Sequence, residues 1–315
     1  SSGTSGSSGT SGSSGTSGSS GTSGTDVGSS AVIILGDGTN SSVRCGVDNT
    51  AAGDYSFAGG GQCNTAGSNY SVVVGGFCNK SQDYGSFLGG GTCSCVYGSE
   101  SVLVGGKCNY VTSLYNFLGG GCCNFTQGWA ATVTGGQQNS ACGSFSSVGG
   151  GRGNTVSGRY SVISGGYCNT ASGYYSFIGG GHCNTTTGRC SVVVGGEFNT
   201  VSGYQSFIGA GSCQLICSFA NCSSIIGGKN NTIIAPISFI GGGECNIINI
   251  SSGYSFIGGG AYNSATGYNS AIAGGLCNTG NTFSSIGGGY CNTASGAYSS
   301  INGGFCNTAS AYWSF

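Results

Sequence analysis

Apolar and polar positions recur along most of the chain with a period of 15. A serine opens the same phrase at Ser41, Ser56, Ser71, Ser86, Ser101, Ser146, Ser161, Ser176, Ser191 and Ser206, with Asn116 and Ala131 filling the two gaps. The register stretches across Ser224, Ser238 and Ser255 and recovers at Ser270, Ser284, Ser299 and Ser314. The phrase is Tyr-Ser-Phe-Ile-Gly-Gly-Gly-x-Cys-Asn-Thr-Ala-Ser-Gly-x, clearest over 175–189 and 289–303. A β-prone run is followed by Gly, then by Asn-Thr and Ser-Gly turn chemistry. This period is too short for a helix pair or a propeller blade. It fits one coil of a parallel β-solenoid, or β-roll, with two or three short strands and tight corners. The expected fold is therefore all-β, a single solenoid domain over 41–315. With strands about 4.8 Å apart, roughly eighteen or nineteen coils make a rod of roughly 90 Å.

Strand alternation assigns the faces. The residue two after each Ser is aliphatic (Val73, Leu88, Leu103, Leu118, Val133, Val148, Ile163, Ile178, Val193 and Ile208) and forms the expected core row. The Ser points inward with it, its hydroxyl free to bond the backbone of the next coil. The residue between points outward yet is apolar: Phe57, Val72, Phe87, Val102, Phe117, Val162, Phe177, Val192 and Phe207. Two residues further on, Gly59, Val74, Gly89, Val104 and Gly119 alternate in the opposite sense, so the full repeat is 30 residues. Large beside none and medium beside medium suggests a stripe fitted to a partner, since long apolar surface stripes mark interfaces. The alternative is that a corner turns these side chains into the core.

Asn64, Asn79, Asn109, Asn124, Asn169 and Asn184 recur at one position, with Asn139, Asn154 and Asn199 between. Stacked Asn side chains can hydrogen-bond along the axis as a ladder. Most cysteines stand just before that Asn. Stacked coils place their Cα atoms about 5 Å apart, within the range of a disulfide. Cys63–Cys78, Cys93–Cys108, Cys168–Cys183 and Cys291–Cys306 are candidate coil-to-coil bridges, and a ladder of free thiols is the alternative.

Composition narrows the function. Of 315 residues 69 are Gly and 5% are charged, but 37% are hydrophobic, too many for simple disorder. The net charge of -1 leaves no basic surface for nucleic acid. No apolar run is long enough for a membrane span. The 19 cysteines fit an oxidising, extracellular or surface location. Asn40, Asn79, Asn124, Asn184, Asn221, Asn230 and Asn249 open Asn-x-Ser/Thr sequons and are candidate glycan sites. His182 is the single His and shares a varied position with Gln62, Lys107 and Arg152, as a solvated surface residue. Cys93-x-Cys95, Cys122-Cys123 and Cys217 with Cys222 lack a second pair at zinc spacing. The Gly-Gly-Gly stretches are followed by neither Lys-Ser/Thr nor a helix, unlike phosphate loops. No cofactor, metal or catalytic residue is expected.

Residues 1–25 form a low-complexity arm in which Gly falls at every third position of Ser-Ser-Gly-Thr-Ser-Gly. That spacing suits an extended three-residue-per-turn helix of roughly 75 Å, packed against a neighbouring chain or carrying glycans on its hydroxyls. Residues 26–40, with Val32-Ile33-Ile34-Leu35-Gly36, read as a joining or capping strand.

The pattern Gly-x-x-x-Asn-x-Ala-x-Gly-x-x-Ser-x-Ile-x-Gly, carried best by 165–181 and 288–304, resembles the head repeats of trimeric autotransporter adhesins. That resemblance implies a left-handed parallel β-roll, a trimer and attachment at a cell surface. Coils of 15 residues, where that family's are nearer 14, and the Cys row are departures from it. Two readings follow. One is a structural, non-enzymatic subunit of an extracellular or surface fibre, its copies joined head to tail through unpaired coil edges. The other is a discrete trimeric adhesin head with capped ends.

Overall fold

The computed structural model describes residues 33–44 and 46–315. The arm expected over 1–25 lies outside these, as do residues 26–32 of the joining segment. The described chain is a parallel β-solenoid of about 18 coils of about 15 residues. Each coil contributes a two-residue strand to each of two long parallel stacks. The first stack runs from Ser42–Arg44 through Phe57–Ala58 and Val72–Val73 to Ser300–Ile301. The second runs from Thr50–Ala51 through Thr65–Ala66 to Thr308–Ala309. A third side is held by single bridges, Gln62↔Phe77↔Thr92 and onward to Tyr290↔Phe305. Register is strict: Phe177 pairs with Val192 and Ile178 with Val193, one coil apart.

The strands are short because the chain must turn three times in 15 residues. Two corners in each coil hold a residue in the left-handed region, such as Cys168 (φ 55°) and Tyr175 (φ 55°). A third bend uses glycine, as at Gly166 (φ 93°). There a Cβ would lie 2.4 Å from the carbonyl oxygen of Gly181 in the next coil, so only Gly fits.

Four side chains of each coil point inward, as strand alternation predicts. Ser161, Ile163, Asn169 and Ala171 are all fully buried, and the same four positions repeat along the rod. The aliphatic row Val73, Leu88, Leu103, Leu118, Val133, Val148, Ile163, Ile178, Val193 and Ile208 is wholly buried. Each such side chain stabilises the fold by about 1.5–3 kcal/mol relative to exposure. The Ser row bonds as the sequence suggests: Ser161 Oγ donates to Gly173 O (2.6 Å) and accepts from Ser176 N (2.9 Å). One assignment shifts. Ser223, not Ser224, occupies this row; it is fully buried, while Ser224 points outward opposite Phe207. Two adjacent serines made either register readable in the sequence, and Ile225 as the core residue decides it.

The longer coils keep this register by bulging at one corner. Ser206 and Ser223 are 17 residues apart, yet Ser223 N still donates to Ser206 Oγ (3.2 Å). Ala220 retains a stacked corner position over Gly203, while the neighbouring Phe219 is pushed into solvent.

At the other end Ile33–Leu35 forms the expected strand, but antiparallel. It pairs with Ser42–Arg44 in the register Ile33↔Arg44, Ile34↔Val43 and Leu35↔Ser42. Asp37 N and Gly38 N then both donate to Ala51 O, covering the first strand of the second stack.

Candidate functional site

Among the described residues no three His, Cys, Asp or Glu side chains converge, so the candidate surfaces are the outward rows and corners. The Asn row is the most completely bonded feature. Asn154 Nδ2 donates to Gly150 O and to Gly166 O (both 2.9 Å), and its Oδ1 accepts from Asn169 N (3.0 Å). The same pattern holds at Asn64, Asn79, Asn109, Asn124, Asn169 and Asn184, all fully buried. One Asn per coil therefore ties the glycine corner of its own coil to the next coil. Ser94 and Gln214 stand in for Asn without breaking the chain of bonds: Ser94 Oγ accepts from Asn109 N, and Gln214 Oε1 from Asn231 N.

This geometry changes the set of glycan sites. Asn79, Asn124 and Asn184 are ladder residues with Nδ2 committed to two carbonyls, so a glycan cannot be attached there within the folded rod. Asn40, Asn221 and Asn230 are exposed and Asn249 is half-buried, which leaves those four open to modification.

The apolar stripe points outward, as alternation predicts, and is not turned into the core. Phe57, Val72, Phe87, Val102, Val162, Val192 and Phe207 are half-buried, and Phe117 and Phe177 are exposed. The alternation of bulk has a cause inside the chain, however. At Gly59 a Cβ would lie 2.1 Å from Val74 O of the next coil and 3.0 Å from the Phe57 ring. Gly89, Gly119, Gly179 and Gly209 repeat this, each beneath the ring of its own coil's Phe. The coils between carry Val at that place, and Val74, Val104 and Val194 are each about half exposed. Their corners also differ in backbone: Gly60, Gly90 and Gly120 have φ near 145°, where no positive φ occurs at Gly75 or Gly105. The 30-residue repeat is thus two alternating corner conformations, and fit to a partner is not needed to explain it. What remains outside is a band of partly exposed Phe and Val.

Nothing in the sequence reading anticipated the aromatic corner. The residue just before the Ser carries stacked rings, Phe145–Tyr160 and Tyr160–Tyr175, with centroids 4.9 and 5.0 Å apart, and Trp129, one residue before the corner Ala130, meets Tyr115 and Phe145 edge-on at 5.7 and 4.5 Å. Tyr55–Tyr70 and Tyr298–Trp313 stack similarly. The recurring Tyr before Ser was the available signal. In the stacked pairs the ring faces meet one another, which suits mutual support more than capture of a planar ligand. Arg159 lies over the Tyr160 ring at 4.8 Å.

The opposite corner carries the cysteines. Cys63, Cys78, Cys93, Cys108, Cys123, Cys168, Cys183, Cys213, Cys245, Cys277, Cys291 and Cys306 share one left-handed position. All are free thiols, so none of the four candidate bridges Cys63–Cys78, Cys93–Cys108, Cys168–Cys183 and Cys291–Cys306 is formed. In-register strands hold equivalent atoms about 4.8 Å apart, whereas a disulfide needs Cβ atoms to close to about 3.8 Å. Partial desolvation, then the neighbouring Cys63 and Cys93, push the Cys78 thiol up. Cys183 is raised by desolvation and Cys168, and Cys277 by desolvation and Cys291.

His182 is half-buried on an outer face, its ring between Tyr167 (5.2 Å) and Phe198 (4.9 Å), rather than freely solvated. Among the described residues one ion pair occurs, the exposed Lys229–Glu244 at 4.0 Å. Among the described residues no helix is long and apolar enough to cross a membrane. Compared with known proteins, the chain matches no family model and no curated protein.

Proposed function

We propose that the protein is a non-enzymatic structural rod of an extracellular or surface fibre, which assembles with copies of itself. The observation that carries this is the outer band of apolar side chains. Phe117 and Phe177 at 39% and 36% exposure alternate along one face with Val104 and Val194, each at 50%. Such a stripe costs free energy in water and is stabilised by burial against a second rod. The periodic Asn ladder at the adjoining glycine corner suits a structural element, because most coils are bonded to both neighbours by the same Asn contacts. The richness in cysteine and the accessible sequons, among them Asn40, Asn221, Asn230 and Asn249, suit a location outside the cell.

A second reading, a discrete trimeric head resembling those of the adhesins, is favoured by the antiparallel strand Ile33–Leu35. That strand covers the coil edge that simple parallel head-to-tail stacking would use. Both readings use the lateral band, and they differ in what forms.

Light scattering after size exclusion, with negative-stain microscopy of the same fractions, tests both. Long fibres support the first reading, and short rods of three-chain mass replace it with the second. Val104→Lys with Val194→Lys should reduce the protein to monomers while its far-ultraviolet circular dichroism is unchanged. A monomeric parent protein at micromolar concentration would overturn both readings.

A further inference from the structure

The cysteine corner has a property that neither disulfide bonding nor packing explains. Its residues sit at φ 52–59°, a conformation that Gly, Asn and Asp adopt most readily. Asp48, Gly153 and Asn230 show that these residues are accepted at this same corner. Cysteine has no such preference, so its use coil after coil is not dictated by the backbone.

We propose that the run Cys63, Cys78, Cys93, Cys108 and Cys123 is a track for monovalent soft metal ions of the Cu(I) or Ag(I) class, each ion bridging the thiolates of two adjacent coils. The spacing of the coils suits a bridging ion. Equivalent atoms on neighbouring strands repeat at about 4.8 Å. Two metal–thiolate bonds of about 2.3 Å, the zinc–thiolate length, span about 4.6 Å in line, close to that repeat. A disulfide instead needs both side chains to rotate until the sulfurs are about 2.05 Å apart, and an oxidant to take up two electrons. Thiolate is also the ligand that selects Cu(I)-like ions. A tetrahedral zinc set, by contrast, needs four donors converging on one point, and a single row does not supply it.

Access and mutual proximity are both present. Cys63, Cys78, Cys93 and Cys108 are half-buried and Cys123 is exposed. The row is held in register by the backbone: Cys78 N donates to Gln62 O (2.9 Å), Cys93 N to Phe77 O (2.8 Å), Cys108 N to Thr92 O (2.9 Å) and Cys123 N to Lys107 O (2.9 Å), each one coil back. Cys122 adds a further thiol at the end of the run, its Sγ 3.2 Å from that of Cys123. Binding is acid–base chemistry with no change of oxidation state. Each thiol releases its proton to solvent and the S–H bond is replaced by bonds from sulfur to the adjoining ions. Five thiolates enclose four gaps, so four monovalent ions leave the filled run with a charge of -1. The Cys168–Cys183 pair encloses one gap, and Cys277, Cys291 and Cys306 enclose two. None of this depends on whether the rod forms fibres.

The test is an anaerobic titration of the reduced full chain with Ag(I), read by native mass spectrometry and by the protons released. Cys93→Ser cuts the first run into Cys63–Cys78 and Cys108–Cys123, so its capacity should fall from four ions to two while the other runs are unaffected. Cys93→Asn, which suits the left-handed corner, should show the same loss and guards against a folding artefact. Equal uptake by the parent and both variants would overturn the proposal. So would failure of the parent to take up more Ag(I) than a variant with all five cysteines replaced by Asn.

Discussion

Asn169 Nδ2 lies 3.1 Å from Asn154 Oδ1, and the backbone N of Asn169 reaches the same oxygen at 3.0 Å. One side-chain atom therefore receives two donors from the next coil, while the Nδ2 of its own amide holds Gly150 and Gly166. Asn154 and Asn169 are fully buried, so each of these groups would be costly if left unpaired.

Asn154→Ala should be the more damaging for that reason. It removes the two Nδ2 bonds and leaves Asn169 N without an acceptor. The expected loss is about 3 kcal/mol, combining net bonds of about 1 kcal/mol each with an orphaned buried donor. Urea unfolding monitored by circular dichroism measures it. Asn154→Asp, which keeps the acceptor and loses the donors, should fall between.

Thr186 offers the opposite sign. Its hydroxyl is buried with no partner, in a row otherwise filled by Ala171, Val156 and Val201. Thr186→Val keeps the shape and removes the unpaired group, so stability should rise by about 1 kcal/mol. Thr126, also unpaired, should respond likewise, and thermal melts of the two variants check both.

Two neighbouring glycines should behave differently. A Cβ at Gly165 meets nothing within 4 Å, whereas at Gly166 it collides with Gly181 O at a backbone φ of 93°. Gly165→Ala should fold with stability close to the parent. Gly166→Ala should lose several kcal/mol or fail to accumulate, since both sterics and φ forbid it. Comparable stability of the two variants would contradict the tight stacking of this corner.

The cysteine corner sets an alkaline limit. The Cys78, Cys183 and Cys277 thiols are raised in the folded protein, so the folded state holds these protons more tightly than the unfolded chain. Their contribution is fully present below the ordinary thiol range, about pH 8.5, and is lost as pH rises through the folded values. Denaturation midpoints of the reduced, metal-free protein should therefore fall from about pH 8.5 upward. Replacing these three cysteines by Ser should flatten that decline.

The period, the inward Ser and aliphatic rows and the Asn ladder were legible because each repeats at one position of every coil, where packing and hydrogen bonding demand the same residue. Less could be read where one residue type serves two ends. Asn79, Asn124 and Asn184 satisfy a sequon and a ladder together, and only burial tells which governs. The alternation of Phe57/Gly59 with Val72/Val74 looked like fit to a partner because the corner that causes it is made of glycine, whose backbone angle leaves no trace in the sequence. Ser223 and Ser224 could each have led the phrase. The stacked rings of Phe145, Tyr160 and Tyr175 went unseen because a row of moderately exposed aromatics has no strict consensus, with Ala130 and Cys190 at either end of the run.

The bulged corner at Ser218–Phe219 has a consequence for how such a chain can change through descent. Two additional residues enter one coil, and the Ser, Asn and aliphatic rows resume in phase on the far side. Phase is re-established locally by every turn, so a small insertion or deletion at this corner is not a frameshift for the core. Gene-level slippage within the repeat can then alter the outline of one turn, or add a whole one, while all the others remain as they were.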